Sequence, residues 1–93
     1  MANWCVYIIQ SKKDRSYYIG CTDNLERRIS EHNSGLSKYT SKKMPWSLKY
    51  FEIVDDMKTA RKREAFLKRQ RNRKFYEKLI QSQLVTPSTR GDC

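Results

Sequence analysis

Ninety-three residues of 11.2 kDa make one small domain, since a second core would need more chain. Lys and Arg outnumber Asp and Glu by 20 to 10, a formal charge of +10 with the lone His32 neutral. No apolar run reaches the roughly 20 residues of a membrane-spanning helix, the N-terminus lacks a signal-like basic-then-apolar pattern, and three widely spaced cysteines with one histidine suggest neither a disulfide framework nor a zinc set.

A cytoplasmic domain with no membrane partner is the expectation, with Cys5, Cys21 and Cys93 as free thiols in a reducing compartment. Residues 3–10, rich in β-branched and aromatic side chains, predict a strand. The polar stretch 11–15 is a turn, and 16–20 resumes strand character, so the two segments read as an antiparallel hairpin. Alternation puts Cys5, Tyr7 and Ile9 on one face and Trp4, Val6 and Ile8 on the other. Helix signals begin at Asp23, a suitable N-cap with Glu26 placed to close a capping box, and end near Ser34–Gly35. Leu25, Ile29 and His32 share one face of this helix with Arg28 at its edge, while Arg27 points nearly opposite.

Residues 36–46 read as a long polar and basic connection. A third strand is expected over 47–54, where Leu48, Tyr50, Glu52 and Val54 alternate with Lys49, Phe51 and Ile53. Asp55–Asp56 stops it and caps a helix over 57–70, and a last helix over 73–81 turns Phe75, Leu79 and Ile80 inward. The domain is thus 1–82, followed by a mobile tail over 83–93. The order β-β-α-β-α-α implies an α+β fold, a small three-stranded antiparallel sheet flanked by helices.

The charge is unevenly spread. Lys58 to Lys78 holds ten basic residues and only two acids, Glu64 and Glu77, too one-sided for compensating ion pairs along a helix. This favours a polyanionic partner bound through phosphates, with affinity falling steeply in salt; the alternative is a solvated basic surface.

Three features carry candidate chemistry. Glu64 shares a sector with Met57, Ala60 and Leu67, and a carboxylate on an apolar stripe needs a partner. That partner is either a nearby Arg or Lys or a hard divalent cation such as Mg²⁺. Tyr7, Tyr17 and Tyr18 cluster on the paired strands, where cross-strand packing is the ordinary explanation. Arg28 and His32 stand one helical turn apart facing the sheet, a spacing that otherwise gives a surface pair.

Taken in order, these features resemble the GIY-YIG nuclease family. Cys5-Val6-Tyr7 and Tyr18-Ile19-Gly20 resemble its two signatures, residues 22–35 its first helix, and residues 60–68 the segment bearing its metal-binding glutamate. The likeness runs from about residue 3 to 80 and looks closest to small stand-alone members. Cys5 and Val6 replace the first signature's glycine and isoleucine, Cys21 stands where the repair enzymes carry a lysine, and Asn72 lies closer to Glu64 than the family's late asparagine.

The resemblance implies a metal-dependent endonuclease acting on DNA, branched or damaged, in repair or recombination with low sequence specificity. It implies that Glu64 holds one Mg²⁺ or Mn²⁺, that Arg28 clamps non-bridging phosphate oxygens, and that Tyr7 is the general base on water. His32 would take or relay the tyrosine proton, and Tyr18 would hold water or phosphate in line. A protein partner would supply further specificity. The alternatives are a nucleic-acid-binding module of the same fold without turnover, and a basic interaction domain for an acidic protein.

Overall fold

The computed structural model describes residues 3–89. β1 (Trp4–Ser11) is the central strand of a sheet ordered β2-β1-β3, and both neighbours run antiparallel to it. Its run of β-branched and aromatic residues suits a position covered on both faces, and Cys5 to Ile9 are all buried. β2 (Tyr17–Thr22) returns through a turn in which the Asp14 carboxylate accepts from the Ser16 amide at 3.0 Å and hydroxyl at 2.7 Å. The expected face assignment on β1 holds. Val6 and Ile8 pack in one core with Ile19, Ala60, Leu67 and Tyr76, while Tyr7 and Ile9 pack in another with Trp46.

β3 (Trp46–Val54) departs from simple alternation, and the departure shapes the site. Ile8 pairs with Tyr50 but Ile9 pairs with Leu48, so one extra residue, Lys49, sits in β3 as a bulge. Leu48 therefore does not share a face with Tyr50, Glu52 and Val54 as its spacing predicts. Through the same offset Trp46 turns to the Tyr7 side of the sheet, where it is buried.

Helices cover both faces. α1 (Leu25–Ser34) lies on the Tyr7 face, with Leu25 and Ile29 packed on its core. Asn24, not Asp23, is its N-cap, accepting from the Arg27 amide at 3.0 Å. The Thr22 hydroxyl bonds both the amide and carbonyl of Asn24, so the strand end holds the chain extended one residue further. Glu26 then falls at the second helical position, where it cannot close a capping box, and Asp23 pairs with exposed Arg27 at 3.5 Å. Gly35 ends the helix at φ 87°, a left-handed conformation suited to glycine. Within the predicted connection, α2 (Lys38–Ser41) forms one turn.

α3 (Met57–Gln70) and α4 (Arg73–Thr89) cover the opposite face. Asp56 caps α3 by accepting from the Thr59 amide at 2.8 Å. Buried Tyr76 stops α3 from the other side: its hydroxyl donates to the Leu67 carbonyl at 2.6 Å and accepts from the Arg71 amide at 3.2 Å. Phe75, Leu79 and Ile80 face the sheet as expected, but α4 continues past residue 81 to Thr89. Gln83 explains part of that extension, because its side chain donates to the Phe51 carbonyl at 2.8 Å and accepts from the Phe51 amide at 3.1 Å. Those groups lie on the outer edge of β3, so the helix covers backbone that would otherwise stand open. The tail expected from 83 is thus helical as far as Thr89, and residues 90–93 of it lie outside the described residues.

Among the described residues no helix is long and apolar enough to cross a membrane. Replacing Tyr76 with Phe removes the donor to the Leu67 carbonyl and is expected to cost about 1–2 kcal/mol in urea unfolding. Unchanged stability would contradict the role given to this hydroxyl.

Candidate active site

Tyr7 leaves β1 towards β2 and passes over Gly20, its cross-strand partner. A Cβ on Gly20 would stand 2.5 Å from the Tyr7 hydroxyl, so only glycine lets the phenol lie there. The hydroxyl oxygen is 2.9 Å from His32 Nε2, and His32 Nδ1 is 2.8 Å from the Thr40 hydroxyl. Both rings are buried, and the Tyr18 ring meets His32 edge-on at 5.1 Å. Trp46 fixes the far end of this chain by donating its indole N–H to the Thr40 carbonyl at 2.9 Å. Asn33 holds Trp46 in turn, bonding its backbone N–H at 2.6 Å and carbonyl at 3.0 Å.

Burial sets the charge state of the pair. His32 is pushed down to about 4, first by burial and then by the Arg28 charge, so the imidazole is neutral at pH 7. The Tyr7 phenol is pushed up to about 12 by burial; a hydrogen bond from Arg28 opposes the rise and the Glu64 charge adds to it. The phenol O–H faces His32 Nε2 at 2.9 Å, with the Arg28 guanidinium close enough to stabilise the phenol oxygen. With the phenol as donor to Nε2, the single N–H of the neutral imidazole sits on Nδ1 and donates to Thr40.

Arg28 and Arg27 divide as the helical spacing predicts, with side chains 33% and 59% exposed. Glu31 accepts from Arg28 Nη1 at 2.9 Å and so steadies the guanidinium, whose charge is felt at the Tyr7 oxygen. From α3 comes Glu64. Ala60 and Leu67 of its stripe are buried, yet Met57 is 45% exposed, so the apolar sector begins a turn later than the sequence suggests. The Glu64 side chain is 21% exposed, pairs with Lys68 at 3.0 Å, and accepts from the Cys21 thiol at 3.2 Å. Cys21 is pushed up to about 11 by burial and by that carboxylate, which keeps it a thiol donor.

The structure therefore brings Tyr7, Tyr18, Arg28 and His32 into one cluster, with Glu64 near enough for its charge to be felt at the phenol. Lys68 satisfies the sequence requirement for a basic partner of Glu64, without excluding a cation. Among the described residues no three His, Cys, Asp or Glu side chains gather to cage a metal ion. One partly open carboxylate suits a hard cation that takes most ligands from water and phosphate, such as Mg²⁺ or Mn²⁺, and not a tetrahedral zinc cage. Asn72 is engaged elsewhere, its side chain accepting from the Lys74 and Phe75 amides at the start of α4. Sequence reasoning missed Thr40, Glu31, Asn33 and Trp46. Only Glu31 carried a signal, its three-residue spacing from Arg28.

His32 gives the site a pH signature. Its folded value of about 4 lies below the ordinary 6.5, so in that interval the unfolded chain binds a proton the folded chain refuses. Stability is full above about pH 6.5 and falls with acidification, by about 2 kcal/mol between roughly pH 7.5 and 5 for this residue. Urea unfolding across that range should show the slope in the wild type and a flatter one in His32→Asn. Equal stability at both ends in the wild type would contradict it.

Comparison with known proteins identifies the family. The GIY-YIG catalytic domain matches residues 3–78. A UPF0213 protein of Bacillus cereus is 44% identical over 78 residues, covering 83% of this chain and 79% of the relative. One from Clostridium perfringens is 43% identical over 82 residues, covering 86% and 85%. The solution NMR structure of the UPF0213 protein of Bacillus halodurans aligns with TM-score 0.53 at 34% identity, covering 85% of this chain and 83% of that one. A match over nearly the whole described chain, with relatives of 43–44% identity, thus places the chain in the GIY-YIG domain family.

Proposed function

We propose that the protein is a metal-dependent endonuclease that hydrolyses DNA phosphodiester bonds. The observation that carries this reading is the Tyr7 hydroxyl, 2.9 Å from a neutral His32 and close enough to the Arg28 guanidinium to be stabilised by it.

Hydrolysis needs a proton removed from water, charge on phosphate oxygens neutralised, and help for the departing alkoxide. Arg28 presents planar N–H donors beside the phenol, suited to a non-bridging phosphate oxygen. Tyr7 can accept a proton from water only after passing its own to Nε2, and Thr40 keeps Nε2 free for that purpose by occupying Nδ1. With burial holding the phenol's proton on and the imidazole's charge off, this transfer is uphill in the free protein. The general base is therefore dormant until substrate brings Arg28 and its phosphate into register. Tyr18, edge-on to His32, borders the same space and would orient water or phosphate. A divalent ion held by Glu64 would supply Lewis-acid stabilisation of the leaving oxygen and cancel the carboxylate charge that holds the phenol's proton.

Substrate binding rests on cations. Lys58, Arg61, Lys62, Arg69, Arg71, Lys74 and Lys78 make no ion pair among the described residues. Such side chains neutralise phosphate without reading bases, which supports low sequence specificity. A role in DNA repair or recombination in the cytoplasm, with a protein partner directing the cut, completes the proposal.

A second reading keeps the fold and the DNA but not the turnover. Two observations favour it: the Lys68 ammonium already neutralises Glu64, and Cys21 holds the position next to it where related repair enzymes carry a cation.

Cleavage of linear, flap and branched DNA with Mg²⁺ or Mn²⁺ separates the two. The endonuclease reading predicts losses on the order of 10²–10³ in rate for Arg28→Ala, and a comparable or larger loss for Glu64→Ala, with circular dichroism unchanged. Wild-type protein that binds DNA but cuts none of these substrates would overturn it in favour of the binding module.

A further inference from the structure

Tyr39 has no place in either core, yet it stands beside the site. Carried on α2, it is 57% exposed, and its ring lies 5.9 Å from Tyr18 at a tilt of 32°. The Lys43 ammonium lies 5.4 Å from its ring centre, and Asp14 steadies that ammonium at 3.3 Å. Two clefts are lined in part by Tyr39. One cleft of about 400 Å³ is lined by Tyr17, Tyr18, Ile19, Tyr39, Lys68 and Tyr76. A second of about 530 Å³ is lined by Lys38, Tyr39, Ser41 and Lys42. Tyr39 thus lines two clefts, one shared with Tyr18 and the Glu64 partner Lys68, the other bordered by two lysines that make no ion pair among the described residues. Tyr17 repeats the pairing of ring and cation, with the Arg73 guanidinium 4.9 Å from its ring centre.

We infer that Tyr39 is a stacking platform for an unpaired base, which makes single-stranded DNA the preferred occupant of this cleft. The inference rests on the DNA reading above and extends it to a substrate class. Bases inside a duplex cover one another's faces, so a protein ring can stack only on a base that is already free. Lysines on both sides of such a ring follow the backbone charge, and the phenyl face takes any base without reading its edges. Packing of Tyr39 on Tyr18 alone would not favour one form of DNA over another, and this difference is what the experiment measures.

Fluorescence anisotropy with labelled thymidine oligonucleotide and with a duplex of equal length, in EDTA so that no strand is cut, provides the test. Tyr39→Ala should weaken single-strand binding about 10-fold while duplex affinity stays within about two-fold. Tyr39→Phe, which keeps the ring, should bind single strands like the wild type. Circular dichroism checks the fold of each variant. A Tyr39→Ala protein that loses both ligands equally, or neither, overturns the inference, as does a wild type with no affinity for single strands. Cleavage is read separately: DNA cut with no Tyr39 effect sinks only this inference, whereas a Tyr39-dependent preference without cleavage sinks only the nuclease reading.

Discussion

A phenol and an imidazole buried against each other, with one proton between them, impose most of the constraints seen here. The Tyr7 hydroxyl can lie 2.9 Å from His32 only because Gly20 has no side chain and because Thr40 satisfies the other ring nitrogen. Thr40 is placed by Trp46, and Trp46 reaches that side of the sheet only because the Lys49 bulge turns the start of β3 over. Remove any one of these and a polar ring atom is left buried without a partner, a cost of about 1–3 kcal/mol each. Among the described residues no buried side-chain N or O lacks a partner.

This interior contrasts with the exterior. Cations crowd the surface of α3 and α4, while the phenol and imidazole of the cluster are neutral at pH 7 beside the Arg28–Glu31 and Glu64–Lys68 pairs. Phenol and imidazole bring proton-handling capacity without adding negative charge, so the positive field of the surface is left intact. A cluster of carboxylates could handle protons as well, but would weaken that field.

The framework of the molecule was legible because periodicity carries it. Alternation on β1, the helix over residues 57–70 and the opposed directions of Arg27 and Arg28 all follow from the repeat of strand or helix. The motif order pointed to Tyr7, Tyr18, Arg28, His32 and Glu64 as one set. What escaped was whatever depends on contacts between distant segments. Nothing local marks Lys49 as a bulge, since the register belongs to β1 and β3 together. Thr40 and Trp46 lay in a stretch without periodicity, and their partners are remote or irregularly spaced. Asp23 lost the N-cap to Asn24 through a hydroxyl in the preceding strand, and α4 outran its apolar pattern where Gln83 bonds the β3 edge.

The account stands on the neutral, Thr40-anchored state of His32, and long-range proton–nitrogen correlation spectra of the imidazole report it directly. A titration from about pH 8 to about 3 should show Nδ1 carrying the proton at neutrality, Nε2 with a free lone pair, and a midpoint near 4. A midpoint at or above the ordinary 6.5, or a proton residing on Nε2 at neutral pH, would contradict the proton path from Tyr7 and with it the chemistry built on that path.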